Sequence, residues 1–331
     1  MRHLLRRIFF YLAAVWVAIT LNFFIPRLAP GNPAQALVAR LAQKGPVPPE
    51  MLKAVEAAFG INSSMPLWQQ YFVYLGDLLR GNFGMSYTYY PNQVSDVIGQ
   101  SVIWTLILGG VAVVLSFLLG SLIGAVLAWK RGSLGDSVLV PLMNFLSAIP
   151  YFWLAMIIVF YLGFVLRWFP FSDGYDLDLD IGLYPEFIGS VIVHSILPAL
   201  TIVLSSIAGW MLTMRNSMVT TLSEDYVLMA RAKGLSSRRV MFAYAARNAI
   251  LPNISGFAIA IGGVVGGQLM TEIIFSYPGI GYSLLQAVQG QDYPLIQTIF
   301  LIIALAILGA NFLADMLYVV LDPRVRQERS A

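Results

Sequence analysis

The sequence predicts an all-α integral membrane protein with six transmembrane helices and both termini cytoplasmic. Three observations predict it. Six apolar stretches are each long enough to cross a bilayer, only 11% of the 331 residues are charged while 58% are hydrophobic, and basic residues concentrate in alternate connections. Soluble proteins carry about 25% charged residues, so a globule of this length would lack the polar side chains to cover its surface. The mean hydropathy of +0.75 therefore excludes a soluble enzyme and a disordered chain. The net charge of +3 comes from 20 basic and 17 acidic residues. They are too sparse for a phosphate-binding face, so membrane lipid, not nucleic acid, is the expected surrounding. The absence of cysteine excludes disulfide scaffolds, thiolate metal sites and thiol catalysis.

A helix needs about 20 largely apolar residues to span the hydrocarbon core. The qualifying stretches are 8–26, 102–129, 137–166, 187–214, 254–275 and 295–321. The longer ones exceed one straight crossing. This predicts tilt, interfacial ends or kinks at Pro141, Pro150 and Pro198, where a backbone donor is missing. Neighbouring helices must resatisfy the carbonyls freed at such kinks, which places the proline helices inside a bundle. The first stretch follows Arg2, Arg6 and Arg7, as a signal peptide's apolar core would. Its length, and the proline at Leu28-Ala29-Pro30, favour an uncleaved helix.

Charge sets the orientation. With the N-terminus inside, 14 Lys and Arg lie on the cytoplasmic side and six outside, whereas 11 of the 17 acidic residues lie outside. That is the asymmetry expected of a membrane protein. The chain then divides into an N-terminal tip with the first helix (1–28), an extracytoplasmic segment (29–100), a transmembrane core (101–322) and a cytoplasmic tail (323–331). The core contains a cytoplasmic loop at 215–251.

The extracytoplasmic segment opens with PGNP at 30–33 and a Pro-rich turn at 45–49, followed by an amphipathic stretch, PLWQQYFVYL at 66–75. Its Trp and Tyr suit the membrane interface. The segment reads as a small outer lid, or as a passive packed loop. Tyr87, Tyr89 and Tyr90 suit anchoring at the interface, stacking on sugar rings or contact with peptides. The loop at 171–186 holds Asp173, Asp176, Asp178, Asp180 and Glu186 and no basic residue. A calcium loop starting at Asp176 needs Gly sixth and Glu twelfth, where Ile181 and Phe187 stand, so a solvated acidic loop fits better.

The inner loop is the most informative segment. Ser223, Glu224 and Asp225 start a helix, the acids being favoured by its dipole. Gly234 ends it in a left-handed turn. A second helix runs from Ser236 to about Asn248 and stops before Pro252. A helix-Gly-helix hairpin with one apolar and one charged side is a docking element or an amphipathic interfacial helix.

Catalytic signatures are missing. The sequence has no phosphate loop, no H-E-x-x-H and no G-x-S-x-G, so no catalytic or metal-ligating residues are assigned. His194, one of two histidines, lies in the fourth stretch, as a proton relay or a satisfied polar contact. Glu272 and Asp315 are the acids inside the apolar stretches, near the outer end of the fifth and the inner end of the sixth, and paired intramembrane charges of the kind ion-coupled carriers use are absent. Gly120 and Gly124, and Gly262, Gly263, Gly266 and Gly267, allow close helix approach, within one bundle or between subunits.

At the inner loop, ARAKGLSSRRVMFAYAARNAILP (230–252) resembles the EAA loop of ABC importer permeases, in the oligopeptide/dipeptide/nickel branch. The N-terminal arginines with PGNP, the outer segment TEIIFSYPGIGYSLLQAVQGQDYPLIQ (271–297) and the LDPR ending (321–324) are similar to the same branch. Two departures stand out from the general EAA pattern: Met229-Ala230-Arg231 replaces Glu-Ala-Ala, and the Gly234 to Pro252 separation is long, as in the peptide branch.

The resemblance implies a six-helix permease subunit in the inner or plasma membrane, with an EAA-type coupling hairpin between spans four and five. It is expected to pair with a second homologous permease subunit, two ABC ATPase subunits and an extracytoplasmic solute-binding protein. ATP and Mg would bind the ATPase subunits, with no cofactor on this chain. Glu224, Asp225, Arg231, Lys233, Gly234, Arg238 and Arg239 would couple to the ATPase. Ser276, Pro278, Gly279 and Gly281 would face the outer partner. The implied cargo is di- or oligopeptides, with oligosaccharides or nickel as alternatives. An autonomous channel or ion-coupled carrier is the alternative of a different class.

Overall fold

The computed structural model describes residues 2–28 and 65–321. The turns at 30–33 and 45–49, the tail after 321 and the Asp315 side chain lie outside the described residues. Among the described residues regular structure is helical, apart from an antiparallel bridge from Met85 to Gln93. In chain order the helices are α1 (Arg2–Leu28), α2 (Leu67–Leu79), α3 (Val94–Trp129), α4 (Leu134–Ala148), α5 (Tyr151–Val165) and α6 (Pro185–Thr221). They continue with α7 (Asp225–Ala232), α8 (Ser237–Ala249), α9 (Leu251–Gly267), α10 (Leu269–Ile274), α11 (Ile280–Gly290) and α12 (Tyr293–Leu321).

Among the described residues four helices, α1, α3, α6 and α12, are long and apolar enough to cross a membrane. Two bent pairs, α4 with α5 at 99° and α8 with α9 at 53°, raise the number to six if each is one span. Of the three expected kinks, only Pro150 breaks its helix. Ile149 and Pro150 are both extended there, with ψ of 122° and 133°, as the residue before a proline prefers. Pro141 and Pro198 stay inside continuous α4 and α6. The stretch expected at 254–275 is also divided, because Gln268, at φ −108° and ψ 4°, separates α9 from α10.

The chain forms two compact units, one comprising Met1–Trp104 with Pro278–Leu308 and the other Thr105–Tyr277 with Gly309–Ala331. In the first, α2 packs on α1. The Thr20 and Tyr71 hydroxyls lie 2.8 Å apart, and the Phe23 ring sits 5.2 Å from Tyr71 and 5.4 Å from Tyr74. The Asn22 amide donates to the Gln297 carbonyl at 2.7 Å, tying α1 to α12. Trp68, Phe72 and Leu79 on α2 are exposed, so the amphipathic stretch is a helix with an apolar face left open. Buried Asp292 caps α12 by accepting from the Leu295 N–H at 3.1 Å, and it also accepts from the Ser86 hydroxyl at 2.5 Å.

In the second unit α6 is central, with α4, α5, α9 and α10 against it. α3 is built inside out relative to a soluble helix. Its exposed face carries Leu106, Ile107, Val111, Val114, Leu115, Leu118, Leu119 and Leu122, whereas the buried face is mostly small or polar, with Thr105, Ala112, Ser116, Ser121, Ala125 and Ala128 beside Leu108, Val113 and Leu127. Lipid is as apolar as leucine, so bulk gains nothing inside, and small residues let backbones approach. A Cβ on Gly120 would stand 2.8 Å from the Ile207 carbonyl oxygen, and one on Gly124 would collide with the Met211 carbonyl oxygen. Gly262 likewise packs against Ala310 of α12. These glycines therefore serve contacts inside one chain. Buried Asn253 donates to the Ser121 hydroxyl at 2.8 Å and the Trp210 carbonyl at 3.0 Å, joining α9, α3 and α6.

Candidate functional site

The hairpin between α6 and α9 gathers most of the residues expected to act. Its first arm starts one residue later than Ser223 suggests. The Ser223 hydroxyl turns back to the Thr220 carbonyl at 2.7 Å. Glu224 takes the N-cap position, extended at ψ 145°, with Asp225 in the first turn. Gly234 has φ +73°. The Leu235 N–H reaches the Ala230 carbonyl at 3.4 Å and the Gly234 N–H reaches the Arg231 carbonyl at 2.9 Å. Those two bonds are a Schellman stop, which needs a left-handed residue at this place.

The second arm is wound differently from the expected α-helix. Between Ser237–Arg239 and Arg247–Ala249 it passes through a π-helical stretch, Val240–Ala246. In a π-helix, residues five apart stack. This puts Val240 with Ala245 and Met241 with Ala246 on the buried side. Arg239, Ala243, Tyr244, Arg247 and Asn248 then share the other side with Tyr226 around a groove of about 480 Å³. The Asn248 amide donates to the Tyr226 hydroxyl at 2.8 Å, clasping the two arms. Pro252 lies in the first turn of α9, where its missing donor leaves no bond unmade.

An apolar cluster pins the hairpin down. Val227 and Ala230 of α7 pack with Val240, Met241, Ala245, Ala246 and Ala249 of α8 against Met214 and Met218 of α6 and Ala125 and Ala128 of α3. Each large member contributes about 1.5–3 kcal/mol by leaving water. An ion pair braces α6 beside it. Arg215 donates from Nε to Asp136 Oδ1 at 2.6 Å and from an η nitrogen to Oδ2 at 2.9 Å, while Oδ2 also accepts from the Gly132 N–H at 3.1 Å. Asp136 is buried. The Ser133-x-x-Asp136 spacing is a helix-start signature that sequence reasoning missed, and it gives no sign of Arg215 as the partner.

Glu224, Asp225, Arg231, Lys233, Gly234, Arg238 and Arg239 are all exposed. Arg231 is engaged, its guanidinium lying 5.0 Å from the Trp129 ring centroid. Leu228, Met229 and Phe242 are also exposed, at 49%, 59% and 48%. Charges and open apolar side chains thus share the exposed side of a hairpin whose base is held by small residues.

The outer residues are distributed differently. Ser276, at φ +49°, and Pro278 are half-buried, whereas Gly279 and Gly281 are buried. Tyr277 is fully buried, with its hydroxyl 3.0 Å from that of Ser195. Tyr87 is buried and Tyr90 exposed, and burial, with Tyr282 and Asp292 nearby, raises the Tyr89 phenol above its ordinary pKa despite a hydrogen bond from Ser283. In the acidic loop, the Asp176 carboxylate accepts from the Ser190 hydroxyl at 2.7 Å and stands 3.8 Å from His194 Nε2. His194 Nδ1 donates to the Ser190 carbonyl at 2.9 Å. The histidine thus gains an acidic neighbour that its sequence surroundings do not show. Among the described residues, no three His, Cys, Asp or Glu side chains group to hold a metal.

Known proteins resemble this chain in sequence. Residues 120–327 match the family described as the binding-protein-dependent transport system inner membrane component. The dipeptide transport system permease protein of Lactococcus lactis subsp. cremoris (strain MG1363) is 31% identical, over 98% of this chain and 99% of its own. The di/tripeptide transport system permease protein of Pseudomonas aeruginosa (strain UCBPP-PA14) is 34% identical, over 93% of this chain and 94% of its own. The oligopeptide transport system permease protein of Salmonella typhimurium (strain LT2) is 30% identical, over 98% and 99%. The chain belongs to the family of binding-protein-dependent transport system inner membrane components, as a multi-pass permease subunit and not a catalytic one.

Proposed function

We propose that this chain is one membrane-spanning half of an ATP-driven importer that takes up di- or oligopeptides delivered by an extracytoplasmic solute-binding protein. The observation that carries the reading is the α7–α8 hairpin, whose exposed charged face rides on a base anchored in α3 and α6. The relatives named for dipeptide, di/tripeptide and oligopeptide transport support peptides over oligosaccharides or nickel. A second homologous permease subunit completes the path, and two ABC ATPase subunits bind ATP and Mg, so this chain needs no cofactor of its own. The α7–α8 hairpin docks on an ATPase through Glu224, Asp225, Arg231, Lys233, Arg238 and Arg239, with Gly234 setting the turn. Closure of the ATPases moves the hairpin, and the core carries that motion to α3 and α6, because packed interiors switch between discrete arrangements instead of deforming. On the outer side, the 276–281 segment, with Ser276, Pro278, Gly279 and Gly281, faces the binding protein.

Reconstitution tests this. The chain, purified with the permease, ATPase and binding protein encoded beside it, is expected to accumulate tri-alanine in vesicles only with ATP, and Gly234→Val is expected to abolish uptake while the subunits still assemble. Transport by the chain alone, without ATP, would establish the autonomous carrier instead. A binding protein whose melting temperature shifts with an oligosaccharide or nickel, and not with peptides, would reassign the cargo.

A further inference from the structure

Two interruptions of the helical ladder meet at one cavity. The break at Ile149 and Pro150 and the break at Gln268 both line a space of about 370 Å³, together with Ser147, Tyr151, Ser205 and Ser206. α10 packs on α5 and on α6, which brings the breaks together. Ser205 and Ser206 lie near the middle of α6, the 37-residue helix Pro185–Thr221, so the cavity is at membrane depth. Irregular backbone persists at that depth only inside protein or against water. The wall has hydroxyls, a phenol and a side-chain amide, and no carboxylate, ammonium or guanidinium. Its polar groups are not all spent on the protein. The Ser205 hydroxyl donates to the Ile202 carbonyl at 2.9 Å, but among the described residues no partner is recorded for the Ser206 hydroxyl or the Gln268 side-chain amide.

We infer that this cavity is a station on the transport path, where Gln268 and Ser206 hydrogen-bond the main-chain amides of a peptide in transit. The inference rests on the peptide-uptake reading above. A side-chain amide both donates and accepts, matching the N–H and C=O of a peptide group whatever its side chains. A wall without charge does not trap the termini, and a transport site must bind weakly enough to release.

The chain has no cysteine, so single cysteines report cleanly. Ser206→Cys and Gln268→Cys, with Ser147→Cys at the rim and Phe145→Cys on the exposed apolar face as control, are introduced and carried into the reconstituted transporter. A charged, membrane-impermeant methanethiosulfonate is expected to modify the cavity cysteines during ATP turnover and to block uptake. Excess tri-alanine should slow the modification, and Phe145→Cys should stay unreactive. Gln268→Leu should raise the half-saturating tri-alanine concentration about tenfold, as loss of one hydrogen bond implies. Cavity cysteines that remain unreactive, or react without protection, in a transporter that still imports tri-alanine would overturn the inference and leave the peptide reading intact. Absence of ATP-driven tri-alanine uptake by the unmodified assembly would overturn both.

Discussion

Gly234 and the Asp136–Arg215 pair show how single residues set the hairpin. A Cβ on Gly234 would meet nothing within 4 Å, so its requirement is conformational and not steric. Gly234→Ala should cost about 1–2 kcal/mol for a left-handed residue, whereas Gly234→Asn should be tolerated better, since Asn occurs at such helix stops. Melting temperatures of the detergent-purified variants check the order; equal values would mean that the turn is not strained by a side chain. Asp136 and Arg215 expose 8% and 18% of their side chains. Removing one member strands a buried charge, so Asp136→Ala should cost about 3–5 kcal/mol, and the double replacement Asp136→Leu with Arg215→Met should recover most of the loss. A double variant no more stable than Asp136→Ala would show that the pair acts through something other than charge burial. Gly234 was legible in the sequence because its chemistry is local. The pair was not, since its members are 79 positions apart.

At the scale of elements, winding decides which side chains are presented. The sequence of α8 reads as an amphipathic helix, and it is one, but with a π pitch across Val240–Ala246. In VMFAYAA the buried pairs, Val240 with Ala245 and Met241 with Ala246, are five apart, a signal too short to separate from α periodicity without the partner surfaces. Ala245 is fully buried while Ala243 is exposed. Ala245→Leu should therefore overpack the core and cost about 1–3 kcal/mol, and Ala243→Leu should be nearly neutral. Thermal unfolding of both variants distinguishes them, and equal loss would contradict the buried face assigned here. The prolines carry the same lesson. Pro150 breaks a helix while Pro141 and Pro198 do not, because a missing N–H permits a bend but neighbouring helices determine whether it forms.

For the whole molecule, the basic residues predict that both termini and the 215–251 loop share one side. Green fluorescent protein fused after the C-terminus should fluoresce, and alkaline phosphatase inserted into the 171–186 loop should be active; the reverse pattern would invert the topology. Composition and apolar periodicity determined by themselves that the chain is a helical membrane protein, and the Gly234 turn was visible as a helix stop, because burial in lipid and helix stops are written in neighbouring residues. Tertiary structure alone decided that α3 buries its small residues on α6, that Asp176 reaches His194, that Gly279 and Gly281 are buried, and that the breaks at Pro150 and Gln268 share one cavity. These depend on contacts between distant segments, and apolar stretches that look alike in sequence do not specify which of their faces meet.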